Sequence, residues 1–350
     1  MKYFVTGGAG FIGSNFVLRQ ITKFKNSVMT FDKLTYAGNK ENLHSLKDNI
    51  NHQFVVGDIC NSEQVQKAID KFQPDGIIHF AAESHVDRSI DGPMEFIHTN
   101  VVGTTILLEA ATTYFNRLSD QRKKEFRFLH VSTDEVYGSL GEIGSFKETT
   151  PYDPSSPYSA SKASSDHLVR AWHRTFGLPV LVTNCSNNYG PFQFPEKLIP
   201  LMIINCIEEK PLPVYGKGEN IRDWLFVTDH CDAIYTVIKS GKVGSTYNIG
   251  GNTEKTNLEI VNTICGIMDE LQPPKTVKSR VELITYVKDR PGHDFRYAMD
   301  ISKIYRELHW SPSESFSSGI RKTVEWYLEN EEWWRTIQQK KYQLQRLGVK

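Results

Sequence analysis

The chain has 350 residues, 39% of them hydrophobic, enough for one large domain or two modest ones around a substantial core. Its 41 Lys and Arg residues balance its 41 Asp and Glu, and without a basic stripe no nucleic-acid partner is expected. Five widely spaced cysteines (Cys60, Cys185, Cys206, Cys231, Cys265) with no C-x-x-C pair support neither a disulfide framework nor a metal site, and fit a reducing cytosol. Arg122-Lys123-Lys124 reads as a solvated loop. No apolar run approaches the ~18 residues of a membrane span. Residues 1–6 run straight into a strand, so no signal peptide is expected. The expected location is cytoplasmic, with no membrane partner.

Residues 2–6 predict a short strand. Gly7, Gly10 and Gly13 follow at three-residue spacing, and a helical pattern runs to about residue 24. The first glycine permits a tight turn, the second brings backbone N–H groups to a pyrophosphate, and the third lets helix and strand pack closely. A second strand, 28–31, ends at Asp32, placed to hydrogen-bond both ribose hydroxyls of NAD and to repel the extra phosphate of NADP. A third strand, 54–56, leads to Asp58, placed to meet an adenine amino group. A fourth spans 76–82. Helical stretches near 61–72 and 93–115 separate these strands. That rhythm predicts a doubly wound parallel sheet covered on both faces. The loop after the fourth strand, 83–89, is polar. Ser84 is placed to hold a substrate hydroxyl, and His85 reads as an ordinary hydrogen-bonded loop residue.

A fifth strand, 126–131, runs into Ser132-Thr133-Asp134-Glu135. Two adjacent carboxylates and a hydroxyl thus lie past a strand's carboxyl end, where open α/β sheets bind ligands. Neighbouring acids there can be driven to different pKa values and work as acid and base. The same residues also suit a helix N-terminus. After a Pro/Ser-rich loop, 149–157, Tyr158 and Lys162 open a helix that runs to about 176. Four residues apart, they share a helix face. A phenol in water titrates at about 10, too high for a base, but a neighbouring ammonium and a positive nicotinamide ring favour the phenolate.

A sixth strand, 180–183, ends the clean alternation, and proline becomes frequent. The expected division is a dinucleotide-binding domain over 1–186 and a smaller, discontinuous substrate domain over 187–350. Residues 224–227 and 246–250 are expected to return to the main sheet. Residues 196–200, 222–224 and 289–294 bring Lys and Arg into the second half, where Arg in particular suits a diphosphate. The tail, 320–350, predicts helix, with Trp326, Trp333 and Trp334 as packing residues.

These motifs together resemble the extended short-chain dehydrogenase/reductase family. The matching segments are 6–14, 32–36, 81–89, 132–138, 158–162, 187–191, 195–201, 222–224 and 289–294, in family order. Thr133-Asp134-Glu135 is similar to the set found in its nucleotide-sugar dehydratase branch, where related epimerases carry small residues. The resemblance implies a Rossmann-type NAD-binding fold with a smaller α/β substrate domain. It implies NAD contacts from Gly7, Gly10, Phe11, Ile12, Gly13, Asp32, Lys33, Asp58, Ile59, Thr99, Tyr158, Lys162 and Asn188. It implies nucleotide-sugar contacts from Ser84, Asn187, Lys197, Leu198, Pro213, Tyr215, Arg222, Asn257, Arg290 and His293. The implied substrate is dTDP-glucose or UDP-glucose, dehydrated to a 4-keto-6-deoxy sugar nucleotide. Tyr158 would act as base at O4 with Lys162 beside it, Thr133 would orient O4, Glu135 would take the C5 proton and Asp134 would protonate the departing hydroxyl. A homodimer through a four-helix bundle, from the helices after Pro93 and Tyr158, is also implied. Two alternatives share parts of this set. A 4-epimerase has no use for Asp134 and Glu135, and a non-catalytic NAD-binding module has no use for any of the five.

Overall fold

The structure is a computed structural model describing residues 1–289 and 293–340. Its strands, in chain order, are β1 Lys2–Thr6, β2 Ser27–Asp32, β3 His52–Val56, β4 Gly76–His79, β5 Arg127–Thr133, β6 Val180–Cys185, β7 Asn187–Tyr189, β8 Leu212–Tyr215, β9 Ile221–Phe226, β10 Thr246–Ile249, β11 Glu254–Thr256 and β12 Ile284–Val287. Seven form one parallel sheet in the order β10-β6-β5-β4-β1-β2-β3. The central strands are buried along almost their whole length, all but Lys2 at the start of β1 and Arg127 at the start of β5, and their apolar runs reflect helices on both faces. Strand order reverses between β1 and β4, opening a crevice at the carboxyl ends of both.

One face packs helices Ser62–Phe72 and Thr104–Asn116 around Phe4, Phe31, Leu107 and Phe128. The other packs Phe11–Thr22 and Val227–Ser240 around Val5, Phe16, Val131 and Ile234. A third apolar cluster holds the second half of the chain. It unites helices Leu198–Ile207, Asn257–Leu271 and Phe316–Glu329 through residues such as Met202, Ile264 and Val324. Beside it lie a three-stranded sheet, β11-β9-β7, and a parallel pair, β12-β8.

Residues 246–249 join the main sheet beside β6, as expected. Two other expectations need correction and two gain detail. Residues 224–227 do not join it: β9 pairs with β7 and β11, and the chain returns to the main sheet as the helix Val227–Ser240. The stretch 93–115 is helical but passes through a π-turn at Ile97–Gly103. Arg122-Lys123-Lys124 lies on a short helix, Asp120–Glu125, with Arg122 bonded to the carbonyls of Gln73 and Pro74 at 3.0 and 3.1 Å. Within the described part of the tail the chain forms two helices, Phe316–Glu329 and Glu331–Lys340, with Trp334 fully buried, and residues 341–350 of the expected helix lie outside the described residues.

Candidate active site

The crevice is a cavity of about 310 Å³ at the carboxyl ends of β1, β2, β4, β5 and β6. Its dinucleotide half is shaped by glycine. A Cβ at Gly7 would lie 2.5 Å from the Ala81 nitrogen, and one at Gly13 2.2 Å from the Gly7 oxygen; neither position has room for a side chain. Gly10 precedes the helix Phe11–Thr22, which has neither a side-chain cap nor an acidic residue in its first turn. That leaves its terminal N–H groups and positive dipole end to an anion. Asp32 accepts from the backbone nitrogens of Ala9 at 2.9 Å and Leu34 at 2.8 Å. Leu34 takes a left-handed φ of 58°, a strained conformation for such a residue and one typical of functional turns. Lys33 pairs with Asp58 at 2.8 Å. Phe11, Ile12, Ile59, Thr99 and Asn188 also line the cavity. Glycine-shaped floor, uncapped helix and buried acid together fit NAD.

The reacting half begins where β5 ends. Thr133 Oγ1 accepts from the Glu135 nitrogen at 3.3 Å and donates to Asp134 Oδ1 at 3.2 Å. It thereby caps a 3-10 turn, Asp134–Tyr137, so this stretch both opens a helix turn and presents two acids to the cavity. Burial, then the neighbouring Glu135, push the Asp134 carboxyl well above its usual range, which favours its protonated form. Its Oδ2 and the Oδ1 of Asn187 are buried without a hydrogen-bond partner among the described residues. Both residues line the cavity.

Tyr158 and Lys162 occupy the first two turns of the helix Pro157–Phe176. The helix starts there for a local reason. Ser156 accepts from the Ser159 nitrogen, the Ser159 hydroxyl accepts from the Ser156 nitrogen, and Pro157 takes the first helical position. Tyr158 is buried, and burial and Glu135 push its phenol well above the ordinary value. The expected lowering by Lys162 is not what this arrangement produces. The Lys162 ammonium is turned to the Val131 carbonyl at 2.9 Å and His130 Nε2 at 3.3 Å, and burial lowers it to about 8.

Ser84, Asn187 and Lys197 line the same cavity, and Lys197 Nζ donates to the Ser84 carbonyl at 3.2 Å. Leu198, Pro213, Tyr215, Arg222, Asn257 and His293 are not in that wall. Most of these meet around β8, β9 and the start of the helix Asn257–Leu271. There Tyr215 meets His293 edge-on with ring centroids 6.2 Å apart. Arg222 donates to the Asp294 carbonyl at 3.0 Å and lies 4.3 Å over the Tyr297 ring. The Asn257 nitrogen donates to the Asn220 carbonyl at 3.0 Å. Arg290 lies outside the described residues. Sequence reading missed Glu83 and Glu196, both buried in the cavity wall and both pushed up by burial. Glu196 pairs with Arg88 at 3.0 Å, and Arg88 stacks 3.9 Å over Tyr36. His85 faces the same acid, its Nε2 3.8 Å from Glu196. The Arg88–Glu196 pair joins segments more than 100 positions apart, which no local pattern encodes.

Known proteins match this arrangement along the whole chain. The sequence profile of the GDP-mannose 4,6 dehydratase family matches residues 4–323. A dTDP-glucose 4,6-dehydratase of Xanthomonas campestris pv. campestris (strain B100) is 58% identical over 347 residues, covering 99% of each chain. The chain belongs to the dTDP-glucose 4,6-dehydratases of the extended short-chain dehydrogenase/reductase family. Escherichia coli (strain K12) dTDP-glucose 4,6-dehydratase 1 is also 58% identical, over 98% of this chain and 97% of its own. The Streptomyces venezuelae dTDP-glucose 4,6-dehydratase, solved with NAD and TYD bound, superposes with a TM-score of 0.88 at 44% identity, covering 96% of this chain and 100% of that one. A Thermus thermophilus UDP-glucose 4-epimerase solved with NAD also superposes, with a TM-score of 0.82 at 26% identity over 94% of this chain and 100% of its own. Dehydratases and epimerases thus share this fold.

Proposed function

We propose that the protein is an NAD-dependent hydro-lyase converting dTDP-glucose into dTDP-4-keto-6-deoxy-glucose. The observation that carries this reading is the unequal acid pair. Asp134 is buried, with its carboxyl pushed well up, beside the less buried Glu135, in one cavity with Tyr158 and a dinucleotide cradle.

The C5 proton of a glucose is barely acidic until C4 is a ketone. Tyr158, as phenolate, takes the O4 proton while Thr133 Oγ1 holds that oxygen and the Lys162 ammonium, one helical turn away and held by the Val131 carbonyl, adds positive charge to the site. NAD, held by the cradle around Gly7, Gly10, Gly13 and Asp32, would accept the C4 hydride and supply it back at C6, and its positive charge would favour the phenolate. Glu135 removes the C5 proton, now α to the carbonyl. Asp134 gives its proton to the 6-hydroxyl, which leaves as water. Glu135 then returns a proton to C5. The cycle leaves Tyr158 protonated and Asp134 ionised, and exchange with solvent resets both. Ser84, Asn187 and Lys197 are proposed to hold the sugar and diphosphate. Arg222, Asn257, His293, Tyr215, Pro213, Leu198 and Arg290 are proposed for the nucleotide end, with the first half of the chain binding NAD and the second the substrate. UDP-glucose is the second reading for the nucleotide. It is set aside because the curated relatives compared above are named for the thymidine nucleotide.

A homodimer is proposed through the helical stretch after Pro93 and the helix Pro157–Phe176. Met94, Ile97 and Val102 on that stretch are 72%, 40% and 41% exposed, and exposed apolar residues grouped on one element mark an interface.

Glu135→Gln tests the acid–base assignment. The variant is expected to lose dehydration by at least ~100-fold while still reducing bound NAD when dTDP-glucose is added. Normal turnover would overturn the assignment of Glu135 as the C5 base.

A further inference from the structure

Tyr158, Lys162, Asp166 and Arg170 recur at four-residue intervals along the helix Pro157–Phe176, so they form one stripe facing β5 and β6. The proposed chemistry uses the first two. Asp166 is fully buried, an expensive place for a carboxylate without a partner. Its Oδ2 accepts from Tyr152 at 2.7 Å, Ser132 at 2.9 Å and Asn184 at 3.4 Å. Those three neutral donors fix its position. Its Oδ1 faces His130 Nε2 at 3.2 Å, and the same nitrogen lies 3.3 Å from Lys162 Nζ.

We propose that Asp166 is a positioning residue for Lys162: acting across the imidazole of His130, its carboxylate keeps the ammonium charged and aimed inside the sheet. This rests on Lys162 belonging to the catalytic set. His130 is the neutral spacer. It is fully buried, its Nδ1 has no partner among the described residues, and burial with Lys162 beside it lowers it to about 4.

The other groups facing Lys162 cannot take the place of Asp166. Cys185, from β6, is a buried thiol pushed up and hence neutral. His79, from β4, is held by Thr6 at 2.7 Å and Thr104 at 2.9 Å, and burial and His130 keep it neutral. Arg170 lies on the far side of Asp166, bonded to the Tyr152 hydroxyl at 2.5 Å, and Tyr152 itself is pushed up by burial. Glu135 and Asp134 act on Tyr158 and Cys185. Against burial, which pulls Lys162 down to about 8, the leading support for its charge is Asp166. A purely structural role would explain the three donors on Oδ2. It would not explain why Oδ1 is aimed at the nitrogen that touches Lys162.

The test is an NMR titration of Lys162 in the purified protein carrying isotope-labelled lysine, with the signal assigned by its loss in Lys162→Met. Asp166→Asn keeps shape and the Oδ2 contacts but removes the charge. It should lower the Lys162 pKa by about 1–3 units, the effect of an opposite charge at this range. The alkaline limb of turnover should move down with it, while Asp166→Glu keeps both near their original positions. An unchanged Lys162 titration in folded Asp166→Asn overturns the proposal. So does a Lys162 already neutral at neutral pH in the unsubstituted protein, a result that needs no variant to fold. A shifted titration in a protein inert toward dTDP-glucose would uphold the pairing and sink the enzymatic reading instead.

Discussion

At the scale of single residues, two adjacent carboxylates differ because one is buried more deeply. Asp134 is 2% exposed, while Glu135 is only partly buried. Raising a carboxyl pKa in the folded state penalises folding above the ordinary carboxylate range, and the penalty grows as pH rises toward the folded value. Asp134→Asn removes that penalty. We expect the variant to gain about 1–3 kcal/mol of stability at neutral pH, read as a higher urea midpoint, with the gain shrinking toward acid pH. Elimination should fall at least ~100-fold because the amide has no proton to give. Equal or lower stability across the pH range would contradict the burial argument. The acid pair was legible in the sequence because it follows an apolar strand. The raised carboxyl of Asp134 was not, because its neighbours Cys185 on β6 and Arg222 and Asp223 on β9 are distant in sequence.

At the scale of elements, the local signals were strong wherever they were complete. Gly7, Gly10 and Gly13 sat between an apolar strand and a helical pattern, and the Pro/Ser-rich loop 149–157 marked the start of the Tyr158 helix, although its capping box went unread. Ser156→Ala removes the cap and half of a capping box. We expect a loss of about 1 kcal/mol and a fall in turnover larger than that loss of stability explains, because Tyr158 and Lys162 stand on the two turns it fixes. A variant with the lower urea midpoint but unchanged turnover would contradict that link. The sequence misplaced β9 because Trp224-Leu225-Phe226 is as apolar as a main-sheet strand. Pairing with the three-residue strands β7 and β11 decides its sheet, and strands so short leave almost no pattern of their own. The π-turn at Ile97–Gly103 was likewise hidden. It turns Asn100 inward to bond Glu83 at 2.8 and 3.0 Å and Ser161 at 2.8 Å, and so ties the Ser84 loop to the helix Pro157–Phe176.

At the scale of the whole molecule, the chain places a nucleotide cradle, two adjacent acids and the Tyr158 helix around one crevice, while Arg222 and His293 gather outside its wall, with three large apolar clusters holding the parts. Ile97→Asp should leave the interior untouched, since Ile97 is 40% exposed, yet shift the proposed dimer toward monomer in sedimentation. An unchanged sedimentation coefficient would place the interface elsewhere. The central claim is that C4 oxidation serves to eliminate water across C5 and C6. Its most direct test is turnover of dTDP-glucose and UDP-glucose in deuterated water, followed by mass spectrometry. We expect a product lighter by one water, carrying one solvent deuterium at C5, formed faster from dTDP-glucose. An isomer of unchanged mass and no deuterium would instead make the protein an epimerase, and Asp134 and Glu135 would have no part in its chemistry.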